Sequence, residues 1–236
     1  MAYNEGFCKM YNTFGWNYYP ESFGEMLLQW LRKEQIQVQS AVDLGCGTGM
    51  LCHVLAEAGI QTLGVDLAEE MIRTAEINWP ELDFVQADIT CFQPKQPVEL
   101  VTATCDVFNH LLEEEMLERA FGRIRGYLRA EGVFIFDLLK PEEVQPFSSI
   151  EIGVENDRRY EYRITDKGNR LVELGTAVYD VGSGATISKD VIYERLHEPE
   201  TIQKLLKKCG FTDVRICDTL SEESGRHGTD WIFVCR

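Results

Sequence analysis

The feature that most restricts the fold of this chain is an apolar run that leads directly into a glycine-rich turn. Residues 42–49 read VDLGCGTG, and the apolar positions of the segment that follows lie on one face of a helix. Glycines let the backbone approach a ligand closely, and the first turn of a helix presents free N–H groups. The segment therefore predicts a buried strand, a turn and a helix, in which the turn is either a plain connection or a ligand-binding loop.

Strand-like and helix-like segments alternate around this turn. Five apolar strand candidates, separated by amphipathic helix candidates, occupy residues 40–138, and the same alternation returns after residue 198. This order is typical of a parallel sheet that is covered by helices on both faces. We therefore predict an α/β fold.

A different pattern occupies residues 150–196. Tyr160, Tyr162 and Ile164 alternate with charged residues, and the segment contains turn signals but no helix-like stretch. We predict two or three antiparallel strands here, inserted after the fifth strand of an α/β core that comprises residues 39–149 and 197–236.

The composition restricts the partners of the chain. Its 236 residues are 44% hydrophobic and include 23 Lys and Arg against 39 Asp and Glu, a net charge of −16. This charge disfavours nucleic-acid binding, which depends on cations that neutralise phosphates. No apolar run approaches the ~18 residues of a membrane span, and residues 1–6 lack the basic region of a secretory signal. We expect a globular protein, monomeric or homodimeric, without nucleic-acid or membrane partners.

The cysteines indicate the compartment. None of the eight forms a C-x-x-C pair, so the sequence predicts neither a zinc site nor a redox motif, and no metal. Free thiols are typical of a reducing environment. We therefore expect a cytoplasmic protein.

Two further carboxylates follow the next strands of the predicted sheet. Asp66 ends the second strand, about 20 residues beyond the glycine turn, where a carboxylate can accept both hydroxyls of a ribose. Asp88 follows the third strand. Either residue alone could be a helix cap or a solvated turn residue. Together with the glycines, they indicate a ligand site at the carboxyl ends of the parallel strands.

These residues resemble the class I S-adenosylmethionine (SAM)-dependent methyltransferases. Residues 42–49 are similar to the first motif of that family, Asp66 to its ribose-binding acid, and Asp88-Ile89 to the pair beside the adenine. The segment after strand four is similar to the one that faces methyl donor and acceptor. The resemblance implies that SAM is the cofactor and that its contacts include Tyr11, Asp43, Gly45, Cys46, Gly47, Asp66, Leu67, Met71, Asp88, Ile89 and Cys105, although Met71 could instead belong to the core.

The resemblance also implies the topology. Residues 128–134 are similar to the L-x-P-G-G turn into strand five, with Ala130 and Glu131 in place of the Pro and the first Gly, and Cys209-Gly210-Phe211 is similar to an A-G-F turn. The implied fold is a Rossmann-like sheet of seven strands in the order 3-2-1-4-5-7-6, with the last strand antiparallel.

One group within the family is more similar still. Residues 11–18 resemble the Y-x-x-F-A-x-x-Y start of small-molecule N-methyltransferases of the sugar-amine and glycine type, although Tyr19 stands where those enzymes usually have Asp. That group also carries an antiparallel insertion after strand five. The implied activity is methyl transfer to a small-molecule amine or hydroxyl. Residues 1–38 would form a helical cap. This cap and the insertion would together cover the pocket.

His110, Tyr11 and Asn109 are the predicted catalytic residues. An amine must be neutral to accept a methyl group, so a base near it could help. His110 follows strand four beside Asn109, and the first Tyr of the group reaches the sulfonium and the amine. His110 could instead be structural, and Tyr11 could be an aromatic residue of a helix-packing face.

Three other functions remain open from the sequence. A methyltransferase acting on RNA or protein is disfavoured by the acidic charge. A regulatory protein that binds the cofactor without turnover would lack groups on the acceptor side, which are present here. A nicotinamide dehydrogenase is disfavoured because Met50 takes the place of the third glycine in G-x-G-x-x-G.

Overall fold

The computed structural model describes Cys8, Tyr11, Trp16 and residues 18–220 and 230–236. Its helices are α1 (Tyr18–Lys33), α2 (Met50–Glu57), α3 (Glu69–Asn78), α4 (Glu114–Tyr127) and α5 (Pro199–Lys208), with short 3₁₀ turns at Val107–His110 and Pro141–Glu143. Its strands are β1 (Ser40–Leu44), β2 (Gln61–Asp66), β3 (Asp83–Gln86), β4 (Val98–Ala103), β5 (Leu128–Leu139), β6 (Phe147–Glu155), β7 (Arg158–Asp166), β8 (Leu171–Asp180), β9 (Thr186–Arg195), β10 (Val214–Cys217) and β11 (Asp230–Cys235).

Seven of these strands form the central sheet, in the order β10-β11-β5-β4-β1-β2-β3. The pairs within β1 to β5 are parallel, whereas β11 runs antiparallel to both β5 and β10. With β10 and β11 counted as the sixth and seventh strands, this is the predicted order 3-2-1-4-5-7-6. The predicted fold class is confirmed.

Apolar side chains cover both faces of the central sheet. On one face, Phe108 and Phe121 pack among aromatic residues of β5, including Phe134 and Phe136. On the other face, α1 packs against the residues of β1, β4 and β5 through a stripe that includes Phe23, Leu27 and Leu31. The carboxyl ends of the parallel strands, which carry the predicted ligand residues, stay uncovered by these helices because the helices pack along the faces.

The insertion is larger than the sequence predicts. It forms a second sheet of four antiparallel strands, β6-β7-β8-β9, so the expectation of two or three strands is wrong. The sequence pattern reveals fewer strands because buried and exposed residues do not alternate along β8, in which residues 174–178 are all buried. A strand that is buried on both faces loses the period of two that identifies a half-buried strand.

Strand β5 also begins earlier than expected. Leu128 already pairs with Val98, and the ladder resumes with Leu100 and Val133 after an irregularity. The segment that resembles a turn is therefore a bulge within the strand. Ala130 and Glu131 stand where the family pattern has Pro and Gly, and neither removes a backbone donor as Pro does.

Two compositional expectations can be compared with the structure. Across residues 18–220 and 230–236, no helix has both the length and the apolar character needed to cross a bilayer. All eight cysteines are free thiols, as predicted.

Candidate active site

The glycine turn places the backbone at the carboxyl end of β1. Gly45 has a φ of +66°, and a Cβ added to it would lie 2.3 Å from Cγ2 of Val107. Gly47 has a φ of +54°, and the ring of Tyr11 lies 4.0 Å from the position of its missing Cβ. Side chains at these positions would be strained and would fill the space beside the turn. The sequence therefore keeps this space open.

Asp66 is built into the same turn. Its Oδ2 accepts a hydrogen bond from the Gly47 N–H at 2.9 Å, and its Oδ1 accepts one from the Ala68 N–H at 2.8 Å. The side chain is buried, and this burial raises the pKa of the carboxyl group. A carboxylate oxygen has more than one acceptor site, so both oxygens can accept a further hydrogen bond from a ligand hydroxyl.

A cavity of about 230 Å³ opens beside the turn and the carboxylate. It lies between the glycine turn, the start of α3 and the 3₁₀ turn that follows β4. The predicted site residues that line it come from five separate stretches of the chain: Tyr11, Gly45 and Gly47, Asp66, Leu67 and Met71, Asp88 and Ile89, and Cys105 and His110. Topology alone brings these distant positions together, because the carboxyl ends of parallel strands meet at one edge of the sheet.

Three predicted site residues do not line this cavity. Asp43 lies buried beneath the turn, where its Oδ1 accepts a 2.7 Å hydrogen bond from Thr102 Oγ1. The Cys46 side chain packs with Cys52 and turns away from the cavity. Asp43 and the Cys46 thiol therefore stabilise the glycine turn and do not face the cavity. Asn109, the third residue, lies at the junction with the insertion.

Asn109 joins the core to the insertion. Its side chain is completely buried; Nδ2 donates to the Arg195 carbonyl at 2.8 Å, and Oδ1 accepts from the Leu139 N–H at 3.3 Å. Both ends of the amide are thus bound to the backbone, of β9 on one side and β5 on the other. The group fixes the 3₁₀ turn and does not face the cavity.

We expect Asn109→Ala to destabilise the fold by about 1–3 kcal/mol, since it leaves buried backbone groups unsatisfied. The free energy of unfolding in urea would measure this effect. Gln93→Ala, which removes an amide of the same kind from an exposed loop residue, is the control and should change the stability by less than about 0.5 kcal/mol. An Asn109→Ala protein as stable as wild type would show that the amide contributes nothing to the junction.

Sequence reasoning missed four lining residues, Ala68, Val107, Leu111 and Met116. It also missed Asp137, which shapes the site from outside the cavity. The apolar residues gave no signal because nothing in their pattern separates a cavity wall from a core. Asp137 did carry one: it is the acidic residue within the apolar run 133–139 of β5.

Asp137 holds the turn after β4. Its two carboxylate oxygens accept hydrogen bonds from the N–H groups of Cys105 and Asp106, each at 3.0 Å. Those two residues have φ values of +63° and +65°, a conformation that costs non-glycine residues about 1–3 kcal/mol each. The bonds to Asp137 offset this strain. The strained turn directs Cys105, Val107 and His110 toward the cavity.

Tyr11 brings the N-terminal segment to the same place. Its hydroxyl donates to Cys105 Sγ at 3.7 Å, and its ring contacts Trp16 edge-on with centroids 6.0 Å apart. Trp16 in turn contacts Tyr162 of β7, with centroids 5.4 Å apart. The three rings form a continuous aromatic contact from the cavity to the insertion.

His110 lines the cavity from the end of the 3₁₀ turn after β4. Its Nε2 lies 3.6 Å from Oε1 of Glu194, a buried residue of β9. Burial lowers the pKa of His110 to about 4, and a hydrogen bond to the backbone of Tyr193 opposes this shift. The imidazole is therefore neutral at pH 7 and can accept a proton.

Comparisons with known proteins agree with this geometry. A methyltransferase domain family matches residues 41–132. A protein of Geobacillus sp. (strain WCH70) that is named as a methyltransferase is 33% identical over 204 residues, which cover 81% of this chain and 81% of that protein. The crystal structure of DesVI from Streptomyces venezuelae has a TM-score of 0.78 at 20% identity and covers 99% of both chains. The sugar N-methyltransferase KedS8 from Streptoalloteichus sp. ATCC 53650 has a TM-score of 0.75 at 20% identity, over 90% of this chain and 85% of that one.

The solved structures share the fold, and the Geobacillus protein is similar enough over most of its length to establish kinship. The glycine turn, the carboxylate at the end of β2 and the confirmed strand order are the features by which the sequence resembles the same family. The chain belongs to the class I SAM-dependent methyltransferases, and SAM is its cofactor.

Proposed function

We propose that this enzyme transfers the methyl group of SAM to a small-molecule amine or hydroxyl. The observation that supports this most directly is the enclosure of the cavity, whose volume is about 230 Å³ and whose walls include Tyr11 and the start of α3. An acceptor group must enter this space to reach a bound methyl donor. The similarity to a sugar N-methyltransferase adds support for a small acceptor.

One side of the cavity suits the cofactor. In this proposal Asp66 binds the ribose hydroxyls, and Asp88 and Ile89 contact the adenine. Gly45 and Gly47 let the backbone approach the ligand. When bound, SAM supplies a methyl group that its sulfonium activates for transfer. The enzyme's main task is alignment of the reacting groups, which can contribute about 7–11 kcal/mol.

The opposite side suits the acceptor. His110, Cys105 and Tyr11 line it, and the neutral His110 ring is the group that can take a proton from an amine or hydroxyl. Asn109 is reassigned from a catalytic residue to a positioning residue, because its amide binds backbone groups on both sides. We assign Tyr11 to shaping the acceptor space, because its hydroxyl is hydrogen-bonded to the Cys105 thiol.

The N-terminal segment and the insertion are proposed to cover the pocket. Cys8 and Tyr11 pack with apolar residues of the insertion, including Tyr160 and Ile192, and with Ala68 and Met71 of the cavity wall. A cover made from these two segments would set the size of the acceptor, since both pack against the cavity wall from outside the central sheet.

Titration calorimetry tests the cofactor side. SAM and S-adenosylhomocysteine should bind and NAD should not, because the turn places Asp66 for ribose without the third glycine of a dinucleotide site. A methylation assay with panels of small amines, small hydroxyl compounds, RNA and intact proteins tests the acceptor side. Turnover with RNA or protein alone would refute the small-molecule proposal, and binding of NAD alone would refute the cofactor site.

A further inference from the structure

A second ionisable group lies directly behind His110. Glu194 of β9 is 3% exposed, and its Oε1 lies 3.6 Å from His110 Nε2. His110 lines the cavity, whereas Glu194 does not. The carboxyl group can therefore act on a bound acceptor through the imidazole.

Hydrogen bonds made by the residues that follow Glu194 fix this contact. The Arg195 carbonyl accepts a hydrogen bond from Asn109 Nδ2 at 2.8 Å. The Arg195 side chain donates a hydrogen bond from Nε to the Leu112 carbonyl at 2.7 Å. The His197 ring contacts the Leu111 carbonyl through Nε2 at 3.0 Å. The end of β9 and the segment from 109 to 112 are thus joined at three points. Glu194 and His110 cannot separate without breaking this junction.

The surroundings of Glu194 are acidic. Asp106, from the turn after β4, and Tyr162, from β7, interact electrostatically with it, and Asp106 also interacts with Asp137 and Asp230. On its own strand, Arg195 is directed to the opposite face, because neighbouring residues of a strand alternate. Burial raises the pKa of Glu194 to about 8. The His110–Glu194 pair therefore holds one exchangeable proton at neutral pH and can lose it under mildly basic conditions.

The other titratable groups of the cavity wall are less suited to accept a proton. Asp66 already binds two backbone N–H groups of the cofactor side. Burial raises the pKa of the Cys105 thiol well above its usual range, so that the thiol stays protonated. The imidazole of His110 is the remaining acceptor on this side, and its capacity depends on the group behind it.

We propose that Glu194 is a positioning residue that holds the His110 ring at the cavity wall and shares with it the proton released by the acceptor. The inference rests on the proposed function. In the reaction, a bond forms between the acceptor nitrogen or oxygen and the methyl carbon, and the carbon–sulfur bond breaks with its electron pair left on sulfur. The acceptor's N–H or O–H electron pair stays on that atom. The proton passes to the His110 ring in molecules whose Glu194 has already ionised, so the charge on the pair changes from −1 to zero.

Histidine NMR tests the pair without an acceptor. In the full-length protein with S-adenosylhomocysteine bound, the His110 ring resonance, identified by its absence from His110→Ala, should shift with a midpoint near pH 8 as Glu194 ionises. Glu194→Gln should abolish this step. Glu198→Gln, which removes an exposed ion-pair partner of Arg170, is the matched control and should leave the step unchanged.

Turnover tests the proton transfer. With an amine or hydroxyl compound that wild type methylates in the panel, kcat of wild type should rise as the pH passes through about 8. Glu194→Gln should lower kcat at least tenfold, leave KM unchanged and lose this rise. Affinity for S-adenosylhomocysteine should stay within twofold, which separates this test from failure of the cofactor assignment. If Glu194→Gln does not fold, Glu194→Asp should move the midpoint of the His110 step. A step that persists in Glu194→Gln, or an unchanged pH–rate profile, would overturn the proposal.

Discussion

Replacing His110 with alanine should lower kcat by about 10²–10⁴, the range for loss of an acid–base group. The ring lines the same cavity as Asp66, and its lowered pKa of about 4 keeps it neutral and able to accept a proton at pH 7. Below the decrease near pH 8 that Glu194 causes, activity of the wild type should therefore fall a second time as the pH approaches 4, where the His110 ring becomes charged and cannot accept a proton. This acid limb should be absent from the residual activity of His110→Ala.

Steady-state kinetics with a compound that wild type methylates would measure the effect. Affinity for S-adenosylhomocysteine should barely change, because Asp66 and Asp88 hold the cofactor in the proposed site. His53→Ala is the matched control: His53 stacks on Trp79 with centroids 3.7 Å apart, outside the cavity lining, and its loss should leave kcat within about twofold of wild type.

The two kinetic parameters distinguish the possible roles of His110. An interaction present equally in the ground state and the transition state changes KM and leaves kcat unaltered. A rise in KM alone would therefore assign His110 to acceptor binding. Unchanged kcat and KM would show that the ring is structural.

The sequence predicts the cofactor side of this enzyme well, because that side depends on local rules. Gly45 and Gly47 both have positive φ angles, and Gly45 also has a close neighbour in Val107. Asp66 stands at a strand end whose position follows from the alternation of strands and helices. Each of these constraints acts within a few residues. They leave a readable pattern.

The acceptor side depends on contacts between distant segments, which leave little pattern. Asn109 looked like a site residue because it follows strand four, but its amide binds β5 and β9, and β9 lies some eighty residues later in the chain. Glu194 was missed for the same reason. Asp137 is visible in the sequence as an acidic residue within an apolar run, but its role is not. Their roles depend on partners that only the folded sheet edges bring together.

Replacing Asp66 with alanine should weaken the binding of S-adenosylhomocysteine by about 1.5–3 kcal/mol, the scale of hydrogen bonds to a charged group. This corresponds to a rise in Kd of about 10- to 150-fold. The variant loses the proposed ribose contacts, and it also frees the N–H groups of Gly47 and Ala68, which the carboxylate holds at 2.9 and 2.8 Å. Both losses act in the same direction, because the turn that faces the ligand becomes less ordered.

Titration calorimetry on Asp66→Ala, Asp66→Asn and an Asp83→Ala control would separate these contributions. Asp83 is exposed at the start of β3, so its loss should leave Kd within about twofold. Asparagine retains one acceptor oxygen for a single N–H group of the turn and removes the charge, so Asp66→Asn should fall between wild type and Asp66→Ala. Equal affinity in Asp66→Ala and wild type would place the ribose contact elsewhere. Equal losses in Asn and Ala would show that the charge on the carboxylate, more than its support of the turn, determines cofactor affinity.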